Sequence, residues 1–179
     1  KDLKQQFEFC RRWIPHIGPG SWPDADMLPL GRIGLRAERG DPRQTNFTPD
    51  EQYTLLTLWS IFRSPLMFGG DLPSNDAFTL SLITNEEVLA VNQRSKGNRE
   101  LFARDNQVAW AADVPGTKDK YLAVFNLDDD SAAEIKIEWR ELGLEGRCSV
   151  RDLWAKQGVG VFADGFAPRA LGSRGDRLA

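Results

Sequence analysis

Apolar and polar residues recur along this chain in two rhythms, one helical and one of period two, and the change falls near residue 95. In the first stretch Leu3, Phe7, Cys10 and Ile14 stand at helical spacing, which predicts an amphipathic helix over Asp2–Ile14. Thr48-Pro49-Asp50-Glu51 reads as a capping box with proline at the first helical position, so Thr48 and Glu51 can satisfy the orphan amides of a helix start. Leu55, Leu58, Trp59 and Phe62 give that helix a broad apolar face, and Pro65 is read as its stop. Ser74 is read as opening a helix that runs to about Leu82, and Asn85 as capping a short one through Val91. Two strand-like pieces lie between these helices, Trp22–Leu28 and Pro65–Phe68, the second ending at Gly69-Gly70-Asp71. Helix, strand, helix, strand, helix is the rhythm of a parallel α/β sheet or barrel. Two strands cannot cover the faces of three such helices, so more strands are expected from outside the sequence. A helical pattern already under way at Lys1 also suggests a piece of a longer protein, which leaves a signal peptide undecided.

From about Asn98 the period shortens. Leu101–Arg104, Gln107–Asp113, Lys120–Asn126, Ala133–Trp139 and Ser149–Trp154 read as short strands, and Ile135-Lys136-Ile137-Glu138-Trp139 alternates as a strand buried on one side should. Turn signals stand between them at Pro115-Gly116, Asp128-Asp129-Asp130 and Glu145-Gly146. The pattern predicts an antiparallel β-sandwich over residues 98–179 after an α/β part over residues 1–93, with Arg94–Gly97 as the linker.

Composition narrows the function. The net charge of −3 and a pI near 5.3 argue against nucleic acid as a partner. No apolar run approaches the ~20 residues that cross a bilayer, so no membrane partner is expected. Cys10 and Cys148, the only cysteines, are read as two buried free thiols. His16, the only histidine, excludes most Ser-His-Asp arrangements, and with no Cys-x-x-Cys a four-ligand zinc site is not expected.

The densest chemistry lies in Gly18–Leu28, where a glycine-proline turn leads into Trp22, Asp24 and Asp26. In an extended segment Asp24 and Asp26 would share one face about 6.5–7 Å apart. Two acids and an aromatic at a strand end suit a sugar, which offers hydroxyls to carboxylates and C–H faces to rings. The alternative is a loop whose aspartates bind backbone amides.

Several of these segments carry a family resemblance. Gly18–Leu28, Trp59–Leu66, Gly70-Asp71-Leu72, Leu82–Val88 with Ala90–Gln93, and Val150-Arg151-Asp152-Leu153-Trp154 occur in the order found in the α-galactosidase (melibiase) family, glycoside hydrolase family twenty-seven, and the chain resembles that family over about residues 1–165. The resemblance implies a partial (β/α)8 barrel, its last two strands and their helices, followed by an antiparallel β-sandwich. It implies a retaining hydrolase of terminal α-galactosides that uses no metal or organic cofactor, and family members are mostly secreted, periplasmic or lysosomal. Both catalytic aspartates of the family belong to segments upstream of Lys1, so the chain is expected to carry neither. Asp26 matches the motif aspartate that looks onto the galactose subsite, and Met27 the methionine beside it. Asp24, Asp26, Met27 and Trp22 are the substrate-binding candidates: Asp24 is expected to stand behind the sugar contacts or anchor the loop, Trp22 either to stack on sugar or to pack, while Asp71 faces the same end of the barrel or simply leads into the next helix. α-N-Acetylgalactosaminidase and β-L-arabinopyranosidase share the fold, and a non-catalytic carbohydrate-binding β module is a further alternative. Three features depart from the family pattern: Pro23-Asp24-Ala25-Asp26 replaces Asn-Asp-Pro-Asp, the Arg32–Asn46 loop is long, and Gly172–Ala179 lacks an apolar closing strand.

Overall fold

The computed structural model describes residues 2–36 and 40–168, and the backbone of 176–178. Four α-helices come first: α1 (Leu3–Trp13), α2 (Pro49–Phe62), α3 (Ala77–Ile83) and α4 (Glu86–Arg94). Each begins on a side-chain cap. Asp2 accepts from the Gln5 amide at α1, and Thr48 and Glu51 close the expected box at α2. Asn85 accepts from the Glu87 and Val88 amides at α4. Ser74 does not open α3. Leu72–Ser74 forms a 3-10 turn instead, and Asp76 caps the helix by accepting from the Thr79 amide at 2.7 Å. Nor is Pro65 the stop for α2. The chain leaves that helix at Arg63, whose left-handed backbone (φ 62°) returns its amide to the Ser60 and Trp59 carbonyls.

The two strand-like pieces between the helices are reduced to one parallel bridge, Leu28 with Phe68. The Leu28 amide donates to the Met67 carbonyl, and Gly69 donates back to the Leu28 carbonyl, both at 2.8 Å. Pro23, Pro29 and Pro65 have no amide to give a ladder, and among the described residues each piece finds its parallel partner in the other. Their sidedness is nonetheless clear. Leu28 and Leu30 are buried toward the helices, with Leu66 and Phe68 partly buried against the same core. Met27 and Met67 point the other way and are 52% and 58% exposed. The long loop that follows carries an unexpected ribbon, β1 (Arg32–Ile33) paired with β2 (Arg43–Gln44).

The later strands are β3 (Lys96–Arg104), β4 (Gln107–Asp113), β5 (Lys120–Asn126), β6 (Ile137–Glu138), β7 (Arg147–Asp152), β8 (Gln157–Ala163), β9 (Gly165–Phe166) and β10 (Asp176–Leu178). The main sheet has the order β10-β5-β4-β3, antiparallel throughout, and β6 with β9 and β7 with β8 form two-stranded ribbons. The expected linker is absent as such, because only Ser95 separates α4 from β3. Strand β10 supplies a closing strand on β5 where none was expected; the rest of the Gly172–Ala179 segment lies outside the described residues. Of Ala133–Trp139 only two residues pair as a strand, yet the alternation holds in burial: Ile135, Ile137 and Trp139 are inside and Lys136 is out.

The main sheet lies between two cores. From β4, Val108, Trp110 and Ala112 face α1 and α2, with Phe7 edge-on to Phe125 at 4.8 Å and Phe62 edge-on to Trp110 at 6.0 Å. Ala109 and Ala111 face the second layer with Ile135, Ile137, Trp139, Leu142, Val150 and Phe166. With both faces covered, β4 reads as a nearly continuous apolar run. Helix α2 is wedged between sheet and helices, which explains why even Thr54, Thr57 and Ser60 are fully buried. Cys10 is buried in the first core, whereas Cys148 is only half-buried at the margin of the second, against the expectation of two buried thiols. His16 packs edge-on against Trp13 at 5.3 Å. Among the described residues no helix is long and apolar enough to cross a membrane.

Candidate functional site

The segment from Trp22 to Leu28 is held from behind by the end of α2 and the residues after it. The Ala25 amide donates to the buried Ser64 hydroxyl at 2.9 Å, and the Trp59 indole Nε1 donates to the Asp26 carbonyl at 2.7 Å. Asp26 itself has φ 78°, a left-handed conformation that a short carboxylate tolerates better than most side chains because it can bond locally. It does so here: Asp26 Oδ1 accepts from the Met27 amide at 2.7 Å. The Asp26 amide in turn donates to Asp24 Oδ1 at 2.8 Å.

This geometry changes the reading of the two carboxylates. The left-handed residue interrupts the period of two, so Asp24 and Asp26 are not successive same-face positions of a strand. Asp24 spends one oxygen on an Asx-type turn with the Asp26 amide. Asp24, Asp26 and Met27 all remain exposed at the surface opposite the helices, next to Gly69, where an added Cβ would lie 2.6 Å from the Met27 sulfur.

Trp22 sits at the start of the segment, four residues before Asp26, and one face of its ring is occupied. The Arg63 guanidinium carbon lies 3.9 Å from the ring centroid. Arg63 also donates to three carbonyls at the end of α4: Nε to Asn92 at 2.7 Å, Nη1 to Ser95 at 2.6 Å and Nη2 to Gln93 at 3.0 Å. A cation at a helix C-terminus is favourable, though burial lowers the pKa of this guanidinium. Asp71 follows the second bridge strand, and its amide donates to the Arg32 carbonyl at 2.8 Å, tying the two loops together at that end.

Three anchors, Trp59, Arg63 and Ser64, have no counterpart among the residues expected at the site. The available signal is indirect: a helix ending ahead of Arg63-Ser64-Pro65 must turn its chain within two residues, because the residue before proline disfavours helix. Arg63 and Ser64 occupy that turn, so their side chains are aimed by it.

A second set of contacts joins the two halves of the chain. Arg151 forks onto Glu87, Asn85 Nδ2 donates to the Leu153 carbonyl at 3.0 Å, and Trp154 Nε1 donates to the Thr57 hydroxyl at 2.9 Å. Tyr53 stands edge-on to Trp154 at 4.8 Å.

Two family models match, in order along the chain: one described as alpha galactosidase A over residues 4–94, and one described as the alpha galactosidase C-terminal beta sandwich domain over residues 104–175. Alpha-galactosidase 2 of Arabidopsis thaliana is 31% identical over 147 residues, which is 80% of this chain and 34% of that protein. Among solved structures, a family 27 β-L-arabinopyranosidase from Geobacillus stearothermophilus superposes with a TM-score of 0.93 at 43% identity, covering 98% of this chain and 40% of that one. A Bacillus halodurans C-125 protein provisionally named an α-N-acetylgalactosaminidase gives a TM-score of 0.91 at 39% identity, covering 99% of this chain and 43% of that one. The chain thus spans about a third of the length of that plant relative and two fifths of those bacterial ones.

Proposed function

The chain belongs to the α-galactosidase (melibiase) family, and from that premise we propose that it is the C-terminal portion of a retaining glycoside hydrolase acting on terminal α-D-galactosyl residues. Residues 1–93 would supply the last two strands and the neighbouring helices of a (β/α)8 barrel, and residues 98–179 the β domain behind it. The observation that carries this reading is the pair of ordered family matches, one to each half. The exposed side of the Leu28–Phe68 bridge, with Met27 and Met67, is what the inner face of a barrel looks like when the other strands are supplied by the rest of the protein.

On this reading the chemistry is a double displacement. One carboxylate attacks the anomeric carbon while a second protonates the departing oxygen; water then cleaves the glycosyl–enzyme bond with the second group acting as base. Both carboxylates belong to sequence ahead of Lys1. The part played by this chain is to wall the sugar pocket. Asp26 offers its carboxylate to sugar hydroxyls, Met27 gives an apolar contact beside it, Asp24 sets the loop, and Trp22 packs on Arg63. Neither metal nor organic cofactor is called for by that reaction.

A second reading is favoured by one comparison: identity to the Geobacillus β-L-arabinopyranosidase is 43%, against 31% to the Arabidopsis α-galactosidase. An arabinopyranoside has the galactose ring without its hydroxymethyl group, so the two readings differ only in what the pocket accepts at C5. The α-N-acetylgalactosaminidase reading differs likewise at C2. A carbohydrate-binding β module is less well supported, because the main sheet is covered on both faces and offers no exposed row of rings on β4 or β5. The deciding experiment is turnover of chromogenic α-galactoside, α-N-acetylgalactosaminide and β-L-arabinopyranoside by the full-length parent protein. Preference for the first supports the main reading, preference for either of the others replaces it, and no turnover of any would remove the enzyme reading.

A further inference from the structure

Trp59 is fully buried on α2, and an indole there would ordinarily be assigned to packing alone. Its Nε1–H, however, donates outside the helix, to the carbonyl oxygen of Asp26, at 2.7 Å. That carbonyl belongs to a non-glycine residue with φ 78°. Left-handed backbone at a residue with a side chain is strained, and the indole adds a hold from outside the loop to the local Asp26–Met27 bond. With the indole donor removed, the carbonyl loses this bond from α2 and the peptide is able to relax toward ordinary negative φ. Relaxation would turn the Asp26 Cα–Cβ bond and carry the carboxylate away from where the loop now presents it.

We propose that Trp59 is a positioning residue for Asp26, its indole N–H fixing the left-handed backbone that aims the Asp26 carboxylate at the sugar. This rests on the reading of Asp26 as a sugar ligand. Two features make Trp59 suited to the task. Its own carbonyl accepts from the Ser64 amide at 3.0 Å and from Asn92 Nδ2 at 3.3 Å, so the ring hangs from a helix end that is itself pinned. Ser64, just past the Arg63 cap, also holds the Ala25 amide, so the peptide units on both sides of the Asp26 nitrogen answer to one short stretch of chain. The Asp26–Asp24 and Met27–Asp26 bonds lie within the loop and do not orient it relative to the fold.

The test is a double-mutant cycle in the full-length parent enzyme, reading inhibition by free galactose and by L-arabinose. Trp59→Phe keeps an aromatic core residue and deletes the N–H. Alone it is expected to weaken inhibition about tenfold, and in an Asp26→Asn background by less than about twofold, since the residue it positions is already disabled. Equal loss in both backgrounds, or no loss in either, overturns the proposal, because a packing role would act regardless of the carboxylate. A second measurement needs neither Trp59→Phe to fold nor the enzyme to turn over a glycoside. In 15N-tryptophan-labelled protein the Trp59 indole proton is expected to exchange slowly and to shift in Asp26→Asn. Exchange as fast as that of the exposed Trp13 indole, or an unmoved resonance, overturns it. An enzyme inactive on every glycoside would count against the proposed function, while the exchange experiment still decides this inference.

Discussion

Arg151 and Glu87 meet across 64 positions of sequence, with Arg151 Nε 2.9 Å from Glu87 Oε2 and Nη2 2.6 Å from Glu87 Oε1. The two residues belong to separate family-like motifs, Leu82–Val88 and Val150–Trp154, and the fold brings those motifs into contact. Asn85 serves both partners: its carbonyl oxygen caps α4 and its amide nitrogen donates to Leu153. Trp154 reaches on to Thr57 of α2. These motifs therefore fasten the β half onto the helices.

The Arg151 hydrogen bond holds the Glu87 carboxyl below the usual glutamate range, with burial opposing it and the charges of Arg151 and Lys156 adding to it. A depressed carboxyl contributes stability above its unfolded pKa of about 4.3, and that contribution is lost as pH falls through the folded value. Glu87→Gln should thus lower the melting temperature most near pH 6 or above, with the gap from the parent sequence shrinking as pH falls toward about 3. Melting curves across that range check it. A gap that stays constant with pH would show that charge at Glu87 is irrelevant.

Gly70 lies where the two bridge strands approach most closely. A Cβ added there would stand 2.1 Å from the Leu30 carbonyl oxygen and 2.8 Å from the Phe68 ring, so backbone would have to move. Gly18 has nothing within 4 Å of its virtual Cβ. Gly70→Ala is expected to cost about 3 kcal/mol or to prevent folding, whereas Gly18→Ala should stay within about 0.5 kcal/mol of the parent. Chemical denaturation of both variants distinguishes them.

Much of this architecture is legible in the sequence, and the failures have identifiable causes. The α2 box is written in Thr48 and Glu51, and Asn85 marks the start of α4, because caps are local chemistry. The extents of β4 and β5 follow from apolar runs bounded by turns. What the sequence hides depends on partners. Ser74 and Asp76 are both acceptable caps, and only the 3-10 turn at Leu72–Ser74 decides between them. Strands β8 and β10 carry little apolar signal; β8 is exposed along most of its length, with glycine at 158 and 160, and it exists by pairing with β7. At the site, the i, i+2 spacing of Asp24 and Asp26 suggests a shared face, but Asp26 is left-handed and its carbonyl accepts from Trp59 on another element. A long-range donor of that kind leaves no local pattern.

Asp26→Asn in the full-length parent removes a charged acceptor while keeping the shape of the side chain. Galactose binding should weaken by about 1–3 kcal/mol, the range for losing a hydrogen bond to a charged group. Product inhibition by galactose measures it, and an unchanged inhibition constant would take Asp26 out of the pocket. Asp24→Asn, acting through the loop, should cost less.

The isolated 179-residue chain should hydrolyse no chromogenic α-galactoside or β-L-arabinopyranoside at any pH. Turnover abolished by Asp24→Asn or Asp26→Asn would mean that the reacting carboxylates lie in this loop after all.

The most direct test concerns where the covalent bond forms. A retaining enzyme treated with a 2-fluoro-galactoside that accumulates its glycosyl intermediate carries the sugar on its nucleophile. In the full-length parent, peptide mapping should find the label on an aspartate ahead of Lys1. A label on Asp24 or Asp26 would contradict the account.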